Sequence, residues 1–298
     1  MKKDFLSIFD LSPEELKELI EISIKFKKGE IKERPLEGKM IALIFQKPSL
    51  RTRVTFERAI YDLGGKGVYL SPQDIQLGKR ESVKDVAKNL DNWTDGIVAR
   101  VFHHGILLEL AEHSKHPVVN ALSDLEHPCQ ILADYMTMYE ISGKFNVNLA
   151  YIGDGNNVAN SLLAATALLG GKFTIATPYE YEPNGYIVKK ALELGVKFEI
   201  VRDPKEAVKD ADFIYTDVWA SMGQEAEREK RLKLFAPYQV NSELLKYAPS
   251  HVKVLHCLPA HRGEEITDEV LDGPHSVVLQ ESENRLHTEK AVLYRLFT

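Results

Sequence analysis

The 298-residue chain predicts an α/β fold in two domains, each a mainly parallel sheet flanked by helices. Two observations carry this. Short apolar runs alternate with segments of helical periodicity, the pattern of successive strand and helix units. The alternation also runs twice, on either side of one long helical pattern over residues 127–142, in a chain whose length suits two domains. A first domain is therefore expected over 1–140 and a second over 141–282, with a closing helix over 283–298 that packs back on the first.

The elements follow in order. Ser12-Pro13-Glu14-Glu15 is a capping box with proline at the first helical position, and Leu16, Leu19, Ile20 and Ile24 continue an apolar stripe, so an amphipathic helix opens the chain. The run Met40-Ile41-Ala42-Leu43-Ile44-Phe45 reads as a buried strand. Helices are then expected over 52–63, 82–92 and 104–114, and strands over 67–70, 96–101 and 117–121. After the long helix, strands are expected near 147–152, 172–177, 197–201, 212–216, 252–256 and 276–280, before a helix from Glu283 to Phe297. The charged stretch GQEAEREKRLKLF over 223–235 reads as a solvated helix or mobile loop.

Composition narrows the function. With 44% hydrophobic and 28% charged residues and a formal charge of -6, the chain offers no broad basic surface for nucleic acid, so any anion site must be local. The amino-terminal segment has two lysines but no apolar core or cleavage site, and no run reaches about 18 apolar residues; neither a secretory signal nor a membrane anchor is expected, and the location expected is cytoplasmic. Cys129 and Cys257 are too few for a disulfide framework and lie in no CxxC pair, so neither a structural zinc nor any other metal is expected.

Strand-to-helix turns are where ligands gather in open α/β sheets. Ser49-Leu50-Arg51-Thr52-Arg53 occupies such a turn. Cations at a helix amino end are awkward when the turn is empty and well satisfied by a phosphate; pairing with carboxylates such as Glu57 is the competing reading. Arg100 closes another strand. His127-Pro128-Cys129-Gln130 opens the long helix, whose positive end would favour a neutral imidazole, with Gln130 one turn on. Asp217 stands at a strand end, where a carboxylate suits a substrate ammonium or simply caps a helix. Cys257, within His256-Cys257-Leu258-Pro259, is either a reactive thiol or a plain buried cysteine. The turn GDGNN over 153–157 admits a rival class, a nicotinamide-dependent oxidoreductase. Against it, Val158 replaces the third glycine and Thr177-Pro178 stands where an acidic ribose contact belongs, so no cofactor is expected.

Taken in one order from about residue 40 to the end, these segments resemble the aspartate/ornithine carbamoyltransferase family. They are Ser49-x-Arg51-Thr52-Arg53, Gln76-Leu77-Gly78 with Glu81-Ser82, Arg100, His127-Pro128-x-Gln130, the 153–157 turn, Asp217 with Ser221-Met222-Gly223, His256-Cys257-Leu258-Pro259 and Glu283-Asn284-Arg285. The later segments resemble its ornithine branch, because an acid and a thiol stand where aspartate enzymes need cationic groups. The resemblance implies carbamoyl transfer from carbamoyl phosphate to the side-chain amine of L-ornithine, with a domain for each substrate and a homotrimer or assembly of trimers whose sites lie at subunit contacts. It implies carbamoyl phosphate contacts from Ser49, Leu50, Arg51, Thr52, Gln76 and Arg100, and from His127, Pro128, Cys129 and Gln130. Gln76 then lies in a loop that could serve a neighbouring subunit. Cys257, Leu258 and Arg285 close over the reacting centre. Ornithine falls to Asn157, Asp217, Ser221 and Met222, and the catalytic roles to Arg100, His127, Asp217 and Cys257. One departure is Leu50, where the family's usual threonine hydroxyl is lost, so any contact there must come from the backbone N–H. The competing amine within the family is putrescine, and a non-catalytic relative would be marked by loss of arginine, histidine or cysteine from these segments.

Overall fold

The structure, a computed structural model, describes residues 3–220 and 227–298. Its residues cluster into two compact units, one of Met1–Met136 with Glu283–Thr298 and one of Thr137–Ser282.

In the first unit the capping box of Ser12 and Glu15 starts α1 (Pro13–Lys27). There follow β1 (Met40–Phe45), α2 (Leu50–Asp62), β2 (Lys66–Leu70), α3 (Pro72–Ile75), α4 (Val83–Leu90), β3 (Gly96–Arg100), α5 (His104–His113), β4 (Val118–Leu122) and α6 (Pro128–Ser142). The strands form one parallel sheet in the order β2-β1-β3-β4, with Ile44 opposite Leu70 on one side and Ala99 on the other. β1 and β3 are buried along almost their whole length, as parallel strands covered on both faces must be.

The second unit contains β5 (Asn148–Ile152), α7 (Asn157–Leu169), β6 (Lys172–Ala176), α8 (Gly185–Glu193), β7 (Lys197–Val201), α9 (Pro204–Val208), β8 (Phe213–Thr216), α10 (Arg228–Phe235), α11 (Ser242–Leu245), β9 (Lys253–Leu255) and α12 (Asp268–Leu271), before α13 (Val278–Phe297). Its sheet is again parallel, in the order β7-β6-β5-β8-β9. In both sheets the first strand is flanked by its successor on one side and by a later strand on the other. This reversal opens a crevice at the carboxyl ends of β1 and β3 in one unit, and of β5 and β8 in the other.

Two expectations fail. Residues 276–280 are not a strand: Ser276 makes one isolated bridge to Val254, and Val278 already belongs to α13. The run Ser276-Val277-Val278-Leu279 is too short for periodicity to separate strand from helix. Glu281, Arg285, Thr288 and Val292 extend a buried face at helical spacing, so the helix wins and begins five residues before Glu283. Nor are all of 223–235 solvated. Residues 223–226 lie outside the described residues, but α10 buries Arg231 and Phe235 one turn apart, with Phe235 against Trp219 and Tyr181.

Candidate functional site

In the first unit Gln46, just past β1, ties three strand-end segments together. Its N–H donates to the Arg100 carbonyl (2.8 Å), its amide nitrogen to the Leu77 carbonyl (3.3 Å), and its amide oxygen accepts from the Phe102 N–H (2.9 Å). Beside it Ser49 caps α2, its hydroxyl accepting from the Thr52 N–H at 3.3 Å. Leu50 is 74% exposed, so its side chain stands in solvent and only its backbone is offered to a ligand. The two arginines separate. Arg53 donates to Glu57 at 2.9 Å and lies over the Tyr69 ring at 3.6 Å, a structural placement, whereas Arg51 is half-buried in the first turn of α2.

Arg285 joins two of the expected phosphate residues. It is buried, with one terminal nitrogen donating to the Gln130 amide oxygen (2.6 Å) and the other to the Thr52 hydroxyl (3.2 Å) and to Glu289 (2.6 Å). Gln130 donates in turn to Asp134 at 2.8 Å. Arg100 and His127 are buried nearby, and His127 is held well below its ordinary 6.5 by burial first and then by the charges of Arg285 and Arg100. Burial and these two charges favour the same neutral imidazole that the helix amino end favours. Pro128 takes the first position of α6, and the Cys129 thiol, its pKa pushed up by burial, turns to the Asn120 carbonyl (3.4 Å), which leaves only its backbone for a ligand. Gln76 is exposed in a left-handed conformation (φ 44°) after α3, apart from this network.

In the second unit the turn after β5 is crowded. A Cβ on Gly155 would lie 2.4 Å from the backbone of Glu182 and Pro183, so only glycine fits there. Asn156 caps α7, its amide oxygen accepting from Val158 (2.9 Å) and Ala159 (3.2 Å), while its amide nitrogen donates to Asp217 at 2.7 Å. Asp217, just past β8, also accepts from the Val218 N–H (2.8 Å) and the Cys257 thiol (3.1 Å). Asn157, beside the cap, is half-buried. Ser221 and Met222 lie outside the described residues.

Cys257 is set in place by His256. The His256 Nδ1 accepts the Leu258 N–H (2.9 Å), so its proton resides on Nε2, which donates to Glu265 (2.9 Å); its own N–H donates to Glu281 (2.9 Å). Leu258 follows at φ 56°, before a cis peptide to Pro259. Among the described residues Asp217, His256 and Cys257 place potential metal-ligand atoms within 4.8 Å of one another, as do His261, Glu264 and Glu265. The donor sets fit a cation poorly: both His256 ring nitrogens are engaged, and Glu264 pairs with Arg228.

Sequence reasoning missed three participants. Asn156 donates to Asp217, where the sequence singles out its neighbour Asn157; the N-cap preference for asparagine was the available signal. Arg231 donates to Asp154 (2.8 Å) and to the Trp219 carbonyl (2.9 Å), and was legible only as a residue one turn before Phe235. Glu289 meets Arg285 at the helical i,i+4 spacing. The GDGNN turn is thus occupied by capping and by Asp217, which leaves the nicotinamide reading without its phosphate turn.

The first unit offers arginines, a hydroxyl, an amide and a neutral imidazole to a small dianion. The second offers a carboxylate, an amide and a thiol to an amine. Residues 3–140 match the family model described as aspartate/ornithine carbamoyltransferase, carbamoyl-P binding domain, and residues 145–296 match that of its Asp/Orn binding domain. The ornithine carbamoyltransferase of Archaeoglobus fulgidus is 54% identical over 299 residues, covering 99% of this chain and 97% of its own. Among solved structures, the ornithine carbamoyltransferase of Pyrococcus furiosus superposes with a TM-score of 0.93 at 51% identity, covering 97% of this chain and 95% of that one. The anabolic enzyme of the same name from Campylobacter jejuni superposes at 0.94 with 39% identity, covering 99% of both.

Proposed function

We propose the following reaction for this chain, which belongs to the aspartate/ornithine carbamoyltransferase family: the carbamoyl group of carbamoyl phosphate passes to the side-chain amine of L-ornithine, giving L-citrulline and phosphate. The observation that carries the choice of amine is the contact of Asp217 with both Asn156 and the Cys257 thiol. An anionic and thiol-lined crevice suits an ammonium or amine, whereas a second substrate carboxylate would need cations there.

The roles follow from the chemistry. The amine nitrogen forms a bond to the carbonyl carbon, negative charge develops on the carbonyl oxygen, and the bond to the phosphate oxygen breaks with its electron pair leaving on phosphate. Arg51, Thr52, Arg100 and His127 donate to these oxygens, with Ser49, the Leu50 N–H and the 127–130 segment completing the cradle. Neutral His127 donates without adding a charge that ornithine's ammonium would oppose. The amine must lose a proton before it attacks. Asp217 and Cys257 orient the neutral amine once that first proton has passed to solvent, and a second proton, shed by nitrogen as the C–N bond forms, goes to the departing phosphate. Asn157, Ser221 and Met222 hold the amino-acid end of ornithine, Leu258 and Arg285 close the reacting centre, and Gln76 reaches a neighbouring subunit's phosphate. The reading includes a cytoplasmic homotrimer or assembly of trimers working in arginine biosynthesis. No helix among the described residues is long and apolar enough to cross a membrane.

The test is a citrulline assay on purified protein with carbamoyl phosphate and a panel of amines. Ornithine should be carbamoylated far faster than putrescine. A preference for putrescine would overturn the assignment of the α-amino acid contacts, and no product from any amine would end the transferase reading.

A further inference from the structure

We propose that Gln46 is a positioning residue for carbamoyl phosphate: its side-chain amide replaces a main-chain rung at the end of the first sheet and so sets the direction of Arg100. This rests on the phosphate site read above. In a regular parallel pair, a residue that donates its N–H to one residue of the neighbouring strand accepts, on its own carbonyl, the N–H two residues further along that neighbour. Phe45 lies opposite Arg100 in the last pair of β1 and β3, and the next N–H, that of Gln46, donates to the Arg100 carbonyl at 2.8 Å. The matching N–H two residues on is that of Phe102. It donates at 2.9 Å to the amide oxygen of the Gln46 side chain, in place of the main-chain carbonyl. The side chain thus carries the rung, and the main chain can leave the sheet through Lys47 and Pro48 for the turn that holds Ser49, Arg51 and Thr52.

The two bonds bracket Arg100, one on its own carbonyl and one two residues on. The other edge of β3 is less regular: its register with β4 shifts there, with Ala99 opposite Asn120 but Arg100 opposite Leu122. A shifted register bends a strand locally, so the β1 side has to supply the direction at Arg100. On its far side the same amide donates to the carbonyl of Leu77, the residue after Gln76, at 3.3 Å. One neutral side chain therefore spans the strand order β2-β1-β3 one step past the end of β1. Arg100 is buried and meets the oxygens of carbamoyl phosphate from this strand end. A small rotation of the peptides after it carries the guanidinium away from the charge that develops there, and misplacement of a donor by about 1 Å is costly to rate.

Steady-state kinetics of the unaltered protein, Q46M and Q46E, with each substrate varied in turn, tests this. Methionine has the length of glutamine and makes neither bond. Glutamate keeps the acceptor for the Phe102 N–H but cannot donate to the Leu77 carbonyl. Q46M should lose about tenfold in kcat/KM for carbamoyl phosphate, as for loss of one hydrogen bond, with KM for ornithine changed by less than about twofold. Q46E should return to within about threefold of the unaltered protein, measured at about 0.3 M salt to screen the added charge. Amide hydrogen exchange at Phe102 should be slow in the unaltered protein and in Q46E, and about tenfold faster in Q46M. Equal losses in Q46M and Q46E, or a parallel rise in KM for both substrates, would overturn the inference. Should Q46M not fold, a tenfold loss in Q46E alone would do the same. Absence of any carbamoylated product from the unaltered protein would instead remove the phosphate site on which the inference rests.

Discussion

Asp217 holds three partners at once: the Asn156 amide, the Val218 N–H and the Cys257 thiol. Each fixes one lone-pair direction, so the carboxylate is oriented before an amine arrives and little ordering entropy remains to be lost on binding. Cys257→Ser replaces the thiol that donates to Asp217 with a shorter-reaching and far less acidic hydroxyl. We expect KM for ornithine to rise by about tenfold, as for loss of one hydrogen bond to a charged group, with carbamoyl phosphate affinity unchanged. Steady-state kinetics with each substrate varied would show it; an unchanged ornithine KM would mean the amine sits elsewhere. At this scale the sequence was informative about residue types and less so about direction. Arg51 and Arg53 look alike in the string, yet Arg53 is taken by Glu57 and Tyr69. Asn156 and Asn157 look alike too, and only the cap geometry separates them.

Among elements, α10 changed most between expectation and structure. Its polar sequence hides one buried edge, on which Arg231 joins the turn after β5 to the segment after β8 through Asp154 and the Trp219 carbonyl. Burial lifts Asp154 to about 6, with Arg231 pulling it down. Because that value lies above the ordinary 3.8, the folded chain binds this proton more tightly than the unfolded chain, and the group's contribution to stability falls as pH rises from about 4 through 6. Without Arg231 the ionised carboxylate has no counter-charge. Arg231→Ala should therefore destabilise by about 3 kcal/mol in urea unfolding at pH 8 and by distinctly less at pH 5, where Asp154 is protonated. Equal losses at both pH values would mean that Arg231 acts by packing alone. The same lesson applies to 276–280: three apolar residues carried no usable period, and the long buried face of α13 decided their state.

Across the whole molecule, a net charge of -6 coexists with a local concentration of arginine around buried His127. His127 lies well below 6.5 in the folded chain, so the unfolded chain binds its proton more readily. The stability it contributes is complete above pH 6.5 and is lost as pH falls below it, at up to about 1.4 kcal/mol per pH unit. His127→Gln should remove that slope: between pH 6.5 and 5.5 the variant should lose about 1 kcal/mol less stability than the parent in urea unfolding. A slope identical in both proteins would show that His127 protonates freely. What was legible without coordinates was the doubled α/β pattern, its strand ends and the segments lying there, because burial in parallel sheets writes short apolar runs into a chain and ligand turns follow them. Folding alone settled the rest. Thr52 and Arg285 are 233 residues apart, and Asn156 and Asp217 are 61 apart. Local periodicity reports which face of an element is covered, but donor direction, charge partners and the raised carboxyls of Asp154 and Glu289 arise only where distant elements pack and exclude water.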